Sequence, residues 1–282
     1  SAHIQEQDAE YQNRKNKRAG RPEVQPIYTV ADAMQVREYI QPCEYGQKVQ
    51  VTDDVTAEFI DAGHLLGSAS IKLTCHEGGE TRTVVFSGDI GNVDQPIIRD
   101  PQFYADADYV LMESTYGDRN HTEVWSYTDQ LAQIIDETLA KGGNVVIPAF
   151  AVGRTQELLY FIREIKDRGL VTSVKDFPVY VDSPLAKKAT TIFCGDLRGY
   201  LDEEALALVQ DGTHMFNFPG LHLTETVEES KLLNMDKTPK VIISASGMCD
   251  AGRIRHHLKY NLWRGDSAVV FVGFQSPGTL GR

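Results

Sequence analysis

Three side chains stand where strand-like runs break off, and each could take part in chemistry at a metal or a phosphate. His64 lies in DAGHLLGSAS (61 to 70), between the runs VTAEFIDAG and SASIKLTC. Asp89 lies in VVFSGDIGN, flanked by Gly88 and Gly91, and Glu113 follows another apolar run in YVLMESTYGDRNH. Strand ends on one edge of a sheet converge on a shared cleft, and glycines let backbone approach closely. An imidazole with carboxylates suits zinc, and a carboxylate can bridge two metals roughly 3.5–4 Å apart, as used for displacement at phosphate. Each residue also has a plainer reading: His64 as a satisfied turn residue, Asp89 as turn chemistry, Glu113 as a cap.

The elements that would hold these residues follow from periodicity. Residues 1 to 18 suit a helix, and Thr29 with Asp32 forms a capping box that opens a second helix, VADAMQVREYI. From about 48 the runs KVQV, TAEFIDA, ASIKLTC, TRTVVFS and ADYVLME predict a mostly antiparallel or mixed sheet, with HEGGET as a hairpin turn. After residue 120 the pattern changes. SYTDQLAQIIDETLAKGG and GRTQELLYFIREIKDRG carry apolar residues at helical spacing. Between and after them, NVVIPAF, FPVYVDS, KVIISAS and SAVVFVGF are near-continuous apolar strands, with helical segments between. That alternation predicts a parallel α/β sheet. The expected domains are 1–121, rich in β, and 122–282, α/β.

Composition bounds the rest. The 282 residues are 41% hydrophobic and 24% charged, as in a soluble globular protein with a sizeable core. No apolar run approaches the roughly 20 residues that span a bilayer, so no membrane partner is expected. The first residues have no apolar core of a signal peptide, and the chain has no initiator methionine. It is expected to be the interior of a longer protein. Cys43, Cys75, Cys194 and Cys249 form no C-x-x-C pair, which argues against a zinc ribbon and for reduced thiols in the cytoplasm. A net charge of −12 does not suggest a general nucleic-acid binder, although RKNKRAGR (14 to 21) is a local basic run, either a solvated helix end or a contact.

In order and spacing, DAGHLLGSASI, VVFSGDIGN and VLMESTYGDRNH resemble the metallo-β-lactamase-fold nucleases of the β-CASP group. That group includes bacterial and archaeal ribonucleases and the nuclease subunit of the pre-mRNA cleavage and polyadenylation factor. VIPAFAVGRTQELLYFI, VYVDSPLA, ISASGMCDAGRIRHHL and VFVGFQSPGTLGR resemble the inserted β-CASP domain. The resemblance implies an α/β fold: a partial metallo-β-lactamase αββα sandwich, then a β-CASP domain with a mainly parallel sheet. It implies His64 as a zinc ligand, Asp89 as the aspartate bridging two zinc ions, and Glu113 as an acidic residue that orients their neighbours. Asp89 and Glu113 are thus the catalytic candidates, and His121 a substrate or supporting residue.

Arg154, Ser246, Gly247 and Arg253 are substrate-binding candidates, with Arg255 beside them; the helix start after SASGMCDAG offers free N–H groups to a phosphate, or simply makes a tight turn. His256 and His257, being adjacent, cannot share a helix face and read as structural. The expected activity is zinc-dependent hydrolysis of single-stranded RNA by the intact protein, with a second copy of the chain as an open partner. One departure stands out: residues 1–63 hold no H-x-H-x-D-H segment, and His3 is their only histidine. The family's two later histidines would fall beyond Arg282. The 282 residues alone are therefore expected to be inactive, and the alternative is a non-catalytic RNA-binding or scaffold subunit with a degraded metal site.

Overall fold

The computed structural model describes all residues except Ser1, Arg119 and 121–125, and within the first helix it leaves out the side chains of Ile4 and Gln7. His121 therefore lies outside the described residues. The chain divides into two compact units, Ser1–Val49 and Gln50–Arg282. None of the helices among the described residues is long and apolar enough to cross a membrane.

The first unit is built on α1 (Ala2–Ala19), whose last turn carries Lys17 and Arg18. Cations there oppose the negative end of the helix dipole. Gly20 takes a positive φ of 65°, and Arg21 N–H closes back on Asn16 O at 2.9 Å, a left-handed helix stop. Half of the basic run thus has a local structural use. Asn13 clasps Val24 through both its backbone N–H and C=O. The capping box at Thr29 and Asp32 is present and opens α2 (Val30–Gln35), which tightens into a 3-10 turn over Val36–Tyr39.

The first sheet runs in chain order, β1 (Lys48–Thr52), β2 (Val55–Asp61), β3 (Ala69–Glu77), β4 (Glu80–Phe86) and β5 (Tyr109–Leu111). β2, β3 and β4 pair antiparallel, while β5 joins β4 in parallel, so the sheet is mixed. The β3–β4 turn places Gly78 and Gly79 at φ 58° and 82°, the paired positive angles of a two-residue hairpin turn. β5 is shorter than ADYVLME suggests, and Tyr109, Val110 and Leu111 are all more than half exposed.

The second sheet has the order β10 (Ala268–Val269), β6 (Val145–Pro148), β9 (Val241–Ser244), β7 (Val179–Asp182), β8 (Leu221–Leu223), parallel throughout. Every residue of β6 and β9 is buried, as continuous apolar strands covered on both faces must be. The helices are α3 (Tyr127–Ala140), α4 (Arg154–Asp167), α5 (Pro184–Phe193), α6 (Glu203–Gln210), α7 (Val227–Met235) and α8 (Ile254–Asn261). The inward residues expected for α4 are all buried, among them Leu158, Leu159, Ile162 and Ile165. Only Ala268–Val269 of SAVVFVGF forms strand, because its neighbour β6 is itself only four residues long and ends at a proline.

The path through this second sheet changes direction. From β6 the chain moves to β7 and β8, then returns to β9 beside β6 and leaves for β10. Helices α4 and α8 therefore depart from neighbouring strands in opposite senses, and the switch point falls at the carboxyl ends of β6 and β9. Such a switch point is where open parallel sheets hold ligands.

Candidate functional site

The loops carrying His64 and Asp89 are clamped together through their backbones. Gly91 N–H donates to Ala62 O at 2.8 Å. A Cβ on Gly91 would lie 1.7 Å from Gly63 O, so no other residue fits there without moving the chain. The His64 turn is fixed from within: Asp61 Oδ1 accepts Gly63 N–H at 2.9 Å, and Ser68 Oγ accepts the N–H groups of His64 and Leu65, each at 3.1 Å. Burial pushes the Asp61 carboxyl up, against the Gly63 N–H and Arg99, which pull it down.

Glu113 ties in the third strand end. Its Oε1 accepts the N–H of Ile90, next to Asp89, at 2.7 Å, and its own N–H donates to Ser87 Oγ at 3.0 Å. The Ile90 N–H first, then Thr115, hold the Glu113 carboxyl below its ordinary value, and His64 adds a smaller attraction. Sequence spacing placed the three residues at strand ends; the structure joins their loops. Asp89 itself is exposed at the surface of this cluster.

The same loop presses on the second sheet. The Leu65 side chain lies where a Cβ on Gly153 would be, 2.3 Å from it, and Gly153, at φ 80°, immediately precedes α4. Gln156 is fully buried and returns Oε1 to Gly153 N–H at 2.8 Å, while its amide donates to Thr190 Oγ1 at 2.9 Å. One turn into α4, Glu157 pairs with Arg154. Burial pushes the Glu157 carboxyl up, while Arg154 and then His64 draw it down. Glu157 was not singled out in the sequence. Its signal was there as the acidic residue three positions after Arg154, but its closeness to His64 is a tertiary fact.

At the neighbouring strand end, the turn after β9 holds Ser246 and Gly247. Ser246 Oγ donates to Ala251 O at 3.1 Å, and a Cβ on Gly247 would touch the ring and backbone nitrogen of Phe150, which follows β6, at 3.0–3.1 Å. Arg253 does not reach outward. Its Nη1 donates to Asp182 Oδ1 at 2.7 Å and its Nη2 to Glu225 O at 2.8 Å.

Asp182, at the carboxyl end of β7, is the second group that sequence reasoning passed over, although it was visible in VYVDSPLA. Its side chain is 0% exposed. Oδ1 accepts from Arg253 and from Thr224 Oγ1, and Oδ2 accepts from Ser230 Oγ at 2.5 Å and His257 Nε2 at 2.6 Å. Burial alone would raise this carboxyl, but donors led by His257 and Ser230 outweigh it and hold it well below the carboxylate range. His257 is buried and bonded to Asn234 through Nδ1, while His256 is exposed. One histidine of the pair is structural, and the other faces solvent.

Zinc is bound by four ligands at structural sites and by three protein ligands plus water at catalytic ones. Among the described residues, no three His, Cys, Asp or Glu side chains stand close enough to share an ion. The described residues do not by themselves fit such a centre.

A mixed sheet whose strand ends carry a histidine and carboxylates, followed by a parallel sheet covered by helices, defines the class: an α/β protein. Residues 155–282 match the model of the Beta-Casp domain. Over 257 residues the chain is 38% identical to ribonuclease TTHA0252 of Thermus thermophilus, covering 91% of this chain and 57% of that protein. It is 30% identical over 258 residues to an RNase J-like protein of Methanocaldococcus jannaschii, covering 90% and 57%. It is 31% identical over 246 residues to the transcription termination factor FttA of Methanosarcina mazei, covering 86% and 37%. The second part of the chain, residues 155–282, belongs to the β-CASP family. It spans little more than half the length of the first two relatives.

Proposed function

We propose that the whole protein hydrolyses phosphodiester bonds of single-stranded RNA, with the strand entering between the two sheets. The observation that carries this is the backbone clamp that sets the His64, Asp89 and Glu113 loops against the start of α4 at the switch point. A relative that aligns with most of the chain is also named a ribonuclease. In this reading residues 1–121 and 122–282 are the two domains. His64 and Asp89 supply ligands to a zinc centre completed by groups outside these 282 residues, and Glu113 holds the Asp89 loop. Ser246, Gly247 and Arg154 line the phosphate path. Four free cysteines fit a reducing, cytoplasmic setting.

Asp89→Ala in the longer protein, assayed on single-stranded RNA with zinc or manganese, is expected to abolish cleavage. Undiminished cleavage by that variant rejects the assignment. The 282-residue chain is expected to be inactive, and finding about two tightly bound zinc ions per chain would contradict the incomplete site. The incomplete ligand set among the described residues also favours a second reading, a non-catalytic RNA-binding subunit. That reading predicts RNA binding by the longer protein without turnover or stoichiometric metal.

A further inference from the structure

Helix α8 leaves the switch point with two unlike faces. Inward, Ile254, His257, Leu258 and Asn261 are buried, and Ile254 and Leu258 pack with Val146 and Cys249. Outward, Arg255, His256, Lys259 and Tyr260 are exposed, and Trp263 just beyond the helix is 77% exposed. At about 100° per residue these five positions fall within roughly 140° of one another, opposite the buried side. They make one stripe, about 12 Å long, that begins beside the 246–253 turn.

The charge of this stripe runs against that of the molecule. The chain carries a formal −12, yet residues 253–264, RIRHHLKYNLWR, contain no acidic residue. Arg253 and Arg264 at its ends are bound to Asp182 and Asp266. Arg255 and Lys259 have no carboxylate partner among the described residues; Arg255 Nη1 reaches only Asp250 O, at 3.4 Å. Two cations without a carboxylate partner thus share one solvent-facing stripe with a tyrosine and a tryptophan. Cations that track phosphates, with aromatic rings on which bases stack, are how proteins hold single strands without reading sequence.

We propose that the outer face of α8 is a single-stranded RNA track that extends the substrate path away from the switch point. Arg255 and Lys259 contact phosphates, and Trp263 and Tyr260 stack on bases. This rests on the reading of the protein as RNA-acting, and it adds a contact surface made of residues other than the His64–Asp89–Glu113 cluster.

The test is fluorescence anisotropy of the 282-residue chain with a long, unstructured oligouridylate and with a short one, over a salt series. The double variant Arg255→Glu/Lys259→Glu is expected to weaken binding of the long strand at least about tenfold. It should also lower the salt slope by about 1.4, two contacts at roughly 0.7 each for a single strand. Trp263→Ala is expected to cost about 5- to 100-fold, while Trp263→Phe and Arg255→Lys retain most of the affinity. With Trp125→Phe, Trp263 is the remaining tryptophan, and its emission should be quenched as RNA is added. Long-strand affinity and salt slope unchanged in the double variant overturn the proposal. So does a loss of self-association with RNA affinity intact, which would make the face a contact between copies. Failure of the ribonuclease reading shows separately, as absence of RNA cleavage by the longer protein, whatever α8 does.

Discussion

Removing the Asp182 carboxylate is the most discriminating perturbation of the β-CASP half, because its bonding is complete. An ionised carboxylate offers about four lone-pair sites, and here four donors fill them: Arg253, Thr224, Ser230 and His257. Asp182→Ala strips all four of their acceptor and leaves a partly buried guanidinium unpaired. Breaking a buried ion pair from one side costs about 3–5 kcal/mol. With a urea dependence near 3 kcal/mol per molar, the midpoint should fall by roughly 1–1.7 M. Asp182→Asn should cost less, about 1.5–3 kcal/mol. Its oxygen still faces Arg253 and Thr224, and its amide meets a serine hydroxyl and a ring nitrogen that can accept. The assay is urea unfolding followed by circular dichroism, at neutral and at acid pH. Because the folded carboxyl titrates below its unfolded value, its stabilisation is present above about pH 4 and is lost as pH falls through the folded pKa. The gap between wild type and Asp182→Ala should therefore narrow on acidification below pH 4. Equal midpoints at neutral pH, or an asparagine variant weaker than the alanine one, refute the network reading.

Two glycine substitutions test the site's scaffold. Gly91→Ala would drive a methyl into Gly63 O and part the His64 and Asp89 loops. It should cost at least about 1–3 kcal/mol and strip hydrogen-exchange protection from the residue 91 amide; a protected amide and unchanged midpoint would show that the clamp yields freely. Gly252→Ala combines a φ of 81° with a Cβ 2.4 Å from Ala245 O. It should lower stability by at least about 1–2 kcal/mol, read as a shifted urea midpoint, and wild-type stability would mean the 246–253 turn tolerates rearrangement.

Much of the fold was legible because local patterns agreed with the final packing. The capping box at Thr29, the Gly78–Gly79 hairpin and the apolar face of α4 depend on neighbours a few residues away. The strands β5 and β10 were overextended, since a strand's length depends on what pairs with it, and the runs ADYVLME and SAVVFVGF say nothing of that. β8 was not anticipated, because its three residues, Leu221–Leu223, are too few to show a period.

Sequence alone determined the residue types at the strand ends, the change from a mixed to a parallel sheet, and the family resemblance carried by the His64, Asp89 and Glu113 motifs. Only tertiary structure decided what those residues do together. The backbone contact of Gly91 with Gly63 spans 28 positions, and the approach of Glu157 to His64 spans 93. Tertiary structure also turned Arg253 inward to Asp182 and left Arg255 and Lys259 outside, though all three lie in one basic run. The reason is geometric: a helix turns about 100° per residue, so which neighbours face the core is set by the sheet the helix packs on, not by their charge.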